Sequence, residues 1–553
     1  MEEDNYYDHL SNVPLDTLRD HWFYDRGIIA GKKVDYTFNL WHPDNQSPLR
    51  VTARVMLSGS TTIVGSAHDV SLYLNNSFIA SRQWYMQDLA DLESQADSYI
   101  NGADVRHGEN VLSVVNNVNP QNIDNILLNW FEISYPRLYR AHDDYIRFKI
   151  PPDYNGGNFL FRVDGFQDAN IHIYKIHQSK IVGGQVEEVT DLQNYTSLQI
   201  SFQNDVLSPE SEFVAVSNSD KRLPLKIEKD ELSSLLDNQL AANYVIIAHK
   251  KFIHTPSVAK LVDLRRSQGF AALVVDVEDV YDEFSHGHVS SYAIRDFLQW
   301  AYNQWREPRL QHVLLLGDGC YVQTSATGDT LDYIPVHMRQ TMNFGSAASD
   351  FWYTLISGND EVPDINIGRL PVKTVQELDA VLEKIIDYET APPQGDWPNR
   401  FLIIGGNGVT FRSQGMALSK IVPPDFDARM LFSVKDKSLD YDPYFGGTSD
   451  LLNYLDQGCS VITFHGHGGG AIWADNSLLR LEDVNRFYTQ GKLPFILSMT
   501  CYTGAFEDPN REQSLADALL FTENEGALAM VGASGVGWEW NDYFLQTEIM
   551  KQI

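Results

Sequence analysis

The chain has 553 residues, too many for one ordinary core, and its length alone suggests roughly three or four domains. With 43% hydrophobic and 12% aromatic residues against 21% charged, it is composed as a folded globular protein and not as a disordered or fibrous one. Its 42 Lys and Arg against 74 Asp and Glu give a net charge of -32, which excludes nucleic acid as a partner and does not favour anionic lipid.

No run approaches the roughly 20 apolar residues that span a bilayer. The opening MEEDNYYDHL has neither the basic start nor the apolar run of a signal peptide, which by itself assigns no compartment.

From Lys32 to Pro136, short alternating runs such as VDYTFNLW, RVTARVML, DVSLYLNN and NVLSVVNN are separated by Asn, Gly, Ser and Pro, the pattern of β-strands. Asn75-Asn76 between VSLYL and SFIA predicts a hairpin turn, and the regular spacing predicts a sandwich or jelly roll over 1–140. A second β-rich segment follows, with YIRFKI, NFLFRVDGF, ANIHIYKI, SLQISF and EFVAVS. It is read as a second β-domain with a charged linker helix or loop at Lys226–Asp237, together spanning 141–237.

Beyond the linker the pattern changes to apolar strands alternating with helix-period segments. NYVIIAHKKF, PSVAKLVDLRRSQG, AALVVDV, SYAIRDFLQWAYNQW and HVLLLGDG form a βαβαβ series, continued by VQELDAVLEKIIDYE, RFLIIGG and SDLLNYLDQG. Such a series predicts a mostly parallel sheet covered on both faces over 238–553, with ligands bound beyond the carboxyl ends of its strands.

The three cysteines, Cys320, Cys459 and Cys501, are odd in number and lack paired spacing, so neither a disulfide framework nor a zinc site is expected. Two apolar strands end in reactive side chains: VITF runs into His465-Gly466-His467-Gly468, and FILSMT runs into Cys501-Tyr502-Thr503-Gly504. A thiol needs a nearby base to become a good nucleophile, and an imidazole supplies one and can later protonate a leaving amine. The glycines beside His467 let a bound chain approach closely, and the backbone N–H groups of Gly468 and Cys501 are candidate oxyanion donors. His465, two residues before His467, is a second candidate base. Cys320 and Cys459 read as structural thiols and Asp318 as a turn cap. The acids Asp276, Glu278, Asp279, Asp282 and Glu283 offer oxygens for a structural Ca²⁺ but lack regular calcium-loop spacing, so no cofactor is required and no metal site is assigned.

FHGHGGGAIWADNS, followed 34 positions after His467 by the Cys of LPFILSMTCYTGAFEDP, resembles the catalytic core of the gingipain-like (C25) cysteine peptidases. HVLLLGDG, SAASDFWY with PDINIGRLPV, and SLADALLFTENEGALAMVGASGVGW resemble other blocks of that family in the same order. A caspase, with its His about 50 residues upstream of the Cys in a different local signature, is the poorer match.

The resemblance implies a caspase-like α/β domain, a Cys501–His467 dyad and Trp538 as an aromatic wall of the substrate pocket, with His465 nearby. The position where gingipains can carry the acid that orients the His is Asn407 here; Asn407 and Asp350 are the candidates for a third member. The stretch VTFRSQGMALSK lacks the acid of the arginine-specific members, which implies a pocket for small or uncharged residues. With two β-domains in front, the chain resembles the branch that removes C-terminal secretion signals from type IX secretion cargo. That likeness implies cargo and other type IX components as partners, acyl transfer to a lipopolysaccharide amine, a secreted or outer-membrane-associated place at the cell surface, and a catalytic domain that continues past residue 553. A broad-specificity secreted protease and a catalytically silent surface binding or scaffold protein are the alternatives.

Overall fold

The computed structural model describes residues 1, 5–7, 22–46, 51–60, 67–94, 105–150, 154, 156–191, 194–208, 210–219, 221–224, 226–227, 229, 232–321, 332–341, 346–508 and 513–553. They form two compact units, Met1–Asp230 and Glu231–Ile553.

Among the described residues the strands of the first unit all pair antiparallel. Two four-stranded sheets pack their inner faces around Val55, Leu57, Leu72, Leu112, Leu128 and Phe131. The strand Ala67–Leu74, with strict alternation of buried and half-buried residues, shows why: one face meets the opposite sheet and the other meets water. Asn75 and Asn76 both have positive φ, 48° and 74°, and turn that strand into Ser77–Tyr85 as the sequence predicts. A four-stranded and a three-stranded sheet then enclose a separate core of Phe148, Phe161, Phe202 and Phe213. In the expected linker, residues 228, 230 and 231 lie outside the described residues, and the rest of it holds no helix.

The second unit is α/β, and the crossover pattern that reads as one sheet closes as two. Tyr244–Ala248, Ala272–Asp276, His312–Leu316 and Asn366–Leu370 form a four-stranded parallel sheet. Arg400–Gly405, Asp427–Phe432, Val461–His465, Phe495–Met499 and Ala529–Gly532 form a five-stranded parallel sheet with Val461–His465 at its centre. Val461–His465 is buried at every position, as a central strand covered by helices on both faces must be.

Several contacts tie the two sheets together. The helix Val375–Thr390, opened by a Thr374/Glu377 capping box, carries Lys384, which is 3% exposed. Its ammonium donates to the carbonyls of Leu519, Glu525 and Ala527 at 3.4, 3.0 and 3.2 Å, at the end of the helix Leu515–Phe521 and just before the strand Ala529–Gly532. Arg369 lies 5.0 Å over the Phe506 ring, and Ser534 Oγ donates to the Ala348 carbonyl at 2.6 Å.

Replacing Lys384 by Met keeps the apolar stem but strands three buried carbonyls. It is expected to lower the stability of this unit by about 1–3 kcal/mol in urea titrations followed by fluorescence.

Candidate active site

The strands Val461–His465 and Phe495–Met499 are parallel neighbours, with His465 registered opposite Met499. His467 and Cys501 each follow that pair by two residues, so both emerge just beyond the carboxyl ends of adjacent strands. Neighbouring strands lie roughly 4.8 Å apart, so the two loops that carry the imidazole and the thiol leave the sheet side by side. His467 is exposed and Cys501 is partly exposed.

The chain turns sharply at the thiol. Tyr502 has φ 58°, the left-handed region that side chains avoid, and the turn is held by Tyr502 N–H to Gly535 and Gly504 N–H to Ala533, both 2.9 Å. Beneath it, Trp473 Nε1 donates to Ser498 Oγ at 2.9 Å, and Ser498 Oγ lies 3.0 Å from Thr503 Oγ1. The thiol Sγ is 3.8 Å from the Gly537 carbonyl, which precedes Trp538. A Cβ at Gly537 would come within 2.3 Å of the Asp542 carboxylate, which would have to swing away. Burial lifts Asp542 to about 6.

The backbone N–H groups of the two oxyanion candidates make no backbone hydrogen bond outside regular elements among the described residues. Cys501 N–H has no backbone acceptor among the described residues. Ala474 N–H donates to His467 at 2.7 Å in the small hairpin Gly468–Gly469/Ile472–Trp473, and the alternation of an antiparallel ladder then turns Gly468 N–H away from that partner. Gly468 must be glycine: a Cβ would lie 2.6 Å from Thr500 Oγ1, the residue before the thiol. The His loop and the Cys loop therefore touch.

The other expected site residues separate. Trp538, 46% exposed, follows the Gly537 whose carbonyl the thiol approaches, at the start of the helix Glu539–Met550. His465, expected in the pocket or as a second base, is 1% exposed and holds Gln546 Oε1 at 3.0 Å through Nδ1. A side chain so enclosed meets no substrate, and burial lowers its pKa to about 4. Asp350, a candidate third member, is engaged elsewhere: Arg369 donates to both of its oxygens at 2.8 Å. Asn407 follows Gly406, which packs against the His465–Gly466 backbone, but its side chain is exposed and makes no hydrogen bond to His467 among the described residues.

What does contact His467 is Phe411, two residues into the helix Val409–Leu418 and 5% exposed. Its ring centroid is 5.1 Å from that of His467, at 88°, and 5.2 Å from that of His465. Sequence reading missed Phe411, because an apolar residue in the first turn of a helix looks like any core residue.

Several further expectations resolve structurally. Cys459 is 1% exposed and burial pushes its thiol up to about 12, as expected of a structural cysteine. Asp318 is not a simple turn cap: it is 3% exposed, one carboxyl oxygen lacks a hydrogen-bond partner, and burial raises it to about 8 despite Lys373 at 3.5 Å. In the acidic cluster, Asp276 caps the helix Val277–Ser285, Glu278 pairs with Lys250 at 2.6 Å, and Glu283 accepts from Leu235 and Leu236 N–H at 2.7 and 2.9 Å.

The model of peptidase family C25 matches residues 237–553, more than half of the chain. The chain belongs to peptidase family C25. Gingipain R1 of Porphyromonas gingivalis is similar to it, 23% identical over 375 residues, which cover 66% of this chain and 35% of that protein. The chain thus spans about a third of the length of this curated relative. Among solved structures, dimeric latent PorU from Porphyromonas gingivalis matches with a TM-score of 0.49 and 18% identity, over 70% of this chain and 37% of that one. The Arg-specific cysteine proteinase gingipain R matches with a TM-score of 0.46 and 20% identity, over 58% and 68%. The family is one of cysteine peptidases, and the one cysteine that is not buried among the described residues is Cys501, just beyond a strand end.

Phe411→Ala removes the ring that fences His467 and is expected to lower kcat about three- to tenfold with KM unchanged on a peptide substrate. His465 binds its proton less readily folded than unfolded, so it contributes stability above pH 6.5 that is lost as pH falls toward about 4. Urea midpoints at pH 7 and pH 4.5 should accordingly converge more closely in His465→Asn than in the parent.

Proposed function

We propose that this chain is a cysteine endopeptidase that works by a Cys501–His467 dyad and removes C-terminal secretion signals from type IX secretion cargo. The observation that carries the dyad is the register of the two central strands, which brings His467 and Cys501 to one edge with free N–H donors beside them.

In this mechanism His467 takes the thiol proton and Cys501 Sγ attacks the scissile carbonyl carbon. The carbonyl oxygen becomes an oxyanion held by the N–H groups of Gly468 and Cys501. The C–N bond then breaks, the amine leaves with the proton from His467, and an acyl-thioester remains. Water, or a positioned lipopolysaccharide amine, attacks the thioester, gives its proton back through His467 and regenerates the thiol. No carboxylate orients His467 among the described residues, so packing against Phe411 does part of that work.

The substrate reading rests on the resemblance of the catalytic blocks together with the preceding β-modules. A pocket for small or uncharged residues beside Trp538 is supported by the acid-free helix Val409–Leu418 and by Glu539, the neighbouring acid, accepting from Gln414 Nε2 at 3.3 Å. The surface location and the other type IX components as partners follow from the same reading.

The test incubates the protein and its Cys501→Ala variant with cargo that carries an intact C-terminal signal, with and without an amine acceptor, and maps the products by mass spectrometry. Cleavage at one site, lost in the variant, is expected, with an amine adduct when acceptor is present. Cleavage at many sites would favour a broad-specificity protease, and no Cys501-dependent product would favour a silent binding protein.

A further inference from the structure

A cavity of about 570 Å³ lies in the first unit, between the segment Tyr135–Tyr139 that joins its two β-modules and the strand Tyr145–Lys149. Among the described residues this strand is a sheet edge whose one partner strand is Glu212–Ser217. Tyr145 exchanges both of its main-chain hydrogen bonds with His142, at 3.1 Å each, and so spends none on that partner strand. Antiparallel alternation then turns the N–H and C=O of Arg147 toward the open side as well. At the far end of the slot Tyr139 Oη donates to the Lys149 carbonyl at 2.8 Å, which confirms the direction of the odd-numbered residues.

The same cavity is lined by a guanidinium with no counter-ion. Among the described residues Arg137 pairs with no carboxylate; its Nε is buried without a partner and its Nη2 donates only to the Arg140 carbonyl at 3.1 Å. Three other arginines of this unit are paired, Arg54 with Asp91, Arg140 with Asp191 and Arg147 with Glu212. In a chain of net charge -32 an unpaired, half-buried Arg is an anomaly that an anionic ligand would relieve. The one acid in the lining, Asp44, accepts from Gln46 N–H at 3.1 Å, and Lys149 at the rim pairs with Glu210 at 2.7 Å.

We propose that this slot binds an extended acidic segment of a partner protein, added as a strand against Arg147 with a side-chain carboxylate on Arg137. Backbone pairing supplies the affinity of such a complex and the charged contact its selectivity. The site is built entirely from the first unit and does not depend on the peptidase reading.

The test uses the full chain carrying Cys501→Ala, so that no hydrolysis intrudes, and a fluorescein-labelled peptide of alternating Glu and Val, followed by anisotropy. Saturable binding that weakens with salt is expected, lost with a Lys-Val peptide and weakened about tenfold by Arg137→Gln and by Arg147→Pro, a change an edge strand tolerates. Circular dichroism checks that both variants fold. If either does not, the Glu-Val against Lys-Val comparison and the salt dependence of the parent decide. No saturable binding, undiminished binding in folded Arg137→Gln, or competition by free glutamate as strong as by the peptide would overturn the proposal.

Discussion

Everything at the candidate active edge depends on one register: His465 opposite Met499 in two parallel, fully covered strands. A slip of one residue would move one reactive side chain to the opposite face of its strand, because side chains alternate with a period of two. Val461–His465 is buried at every position, and its two polar members, Thr463 and His465, both meet the Gln546 amide, so a slip would take them off their partner. The core thus sets where the two loops leave the sheet, and the contact of Gly468 with Thr500 holds them together beyond it.

The loops then refine what the strands place. Small residues let backbones meet, with Gly406 against Gly466, Gly468 against Thr500 and Gly504 against Gly532. The left-handed Tyr502 ends the Cys loop abruptly and leaves the Cys501 N–H unspent. Aromatic packing replaces charge behind His467: Phe411 stands between it and the buried, neutral His465. In the proposed mechanism such a base would be held in place without a carboxylate to stabilise its protonated form, which suits a thiol nucleophile that is intrinsically reactive.

Much of this was legible in the sequence because it is written in local periodicity. The Asn75-Asn76 hairpin, the helix Val375–Thr390 and the two strands that run into His467 and Cys501 all follow from patterns within about a dozen residues. The division of the parallel strands between two sheets was not legible, since it depends on which strands pair and no local signal encodes that. Three side chains show the same limit. His465 and His467 look equivalent in a GHG motif, yet the last strand residue is enclosed while the loop residue is open. Asp350 looked available until Arg369, 19 positions away in the chain, took both of its oxygens. Phe411 carried no polar signal at all.

The most direct measurement of the central claim is the rate of Cys501 alkylation by iodoacetamide as a function of pH, in the parent protein and in His467→Ala, with Cys501→Ala as the blank. If the strand register places the imidazole on the thiol, the parent reacts faster at neutral pH, and loss of His467 shifts the profile toward that of an ordinary thiol near pH 8.5. Superimposable profiles in the two proteins would mean that His467 does not activate Cys501 and would contradict the account.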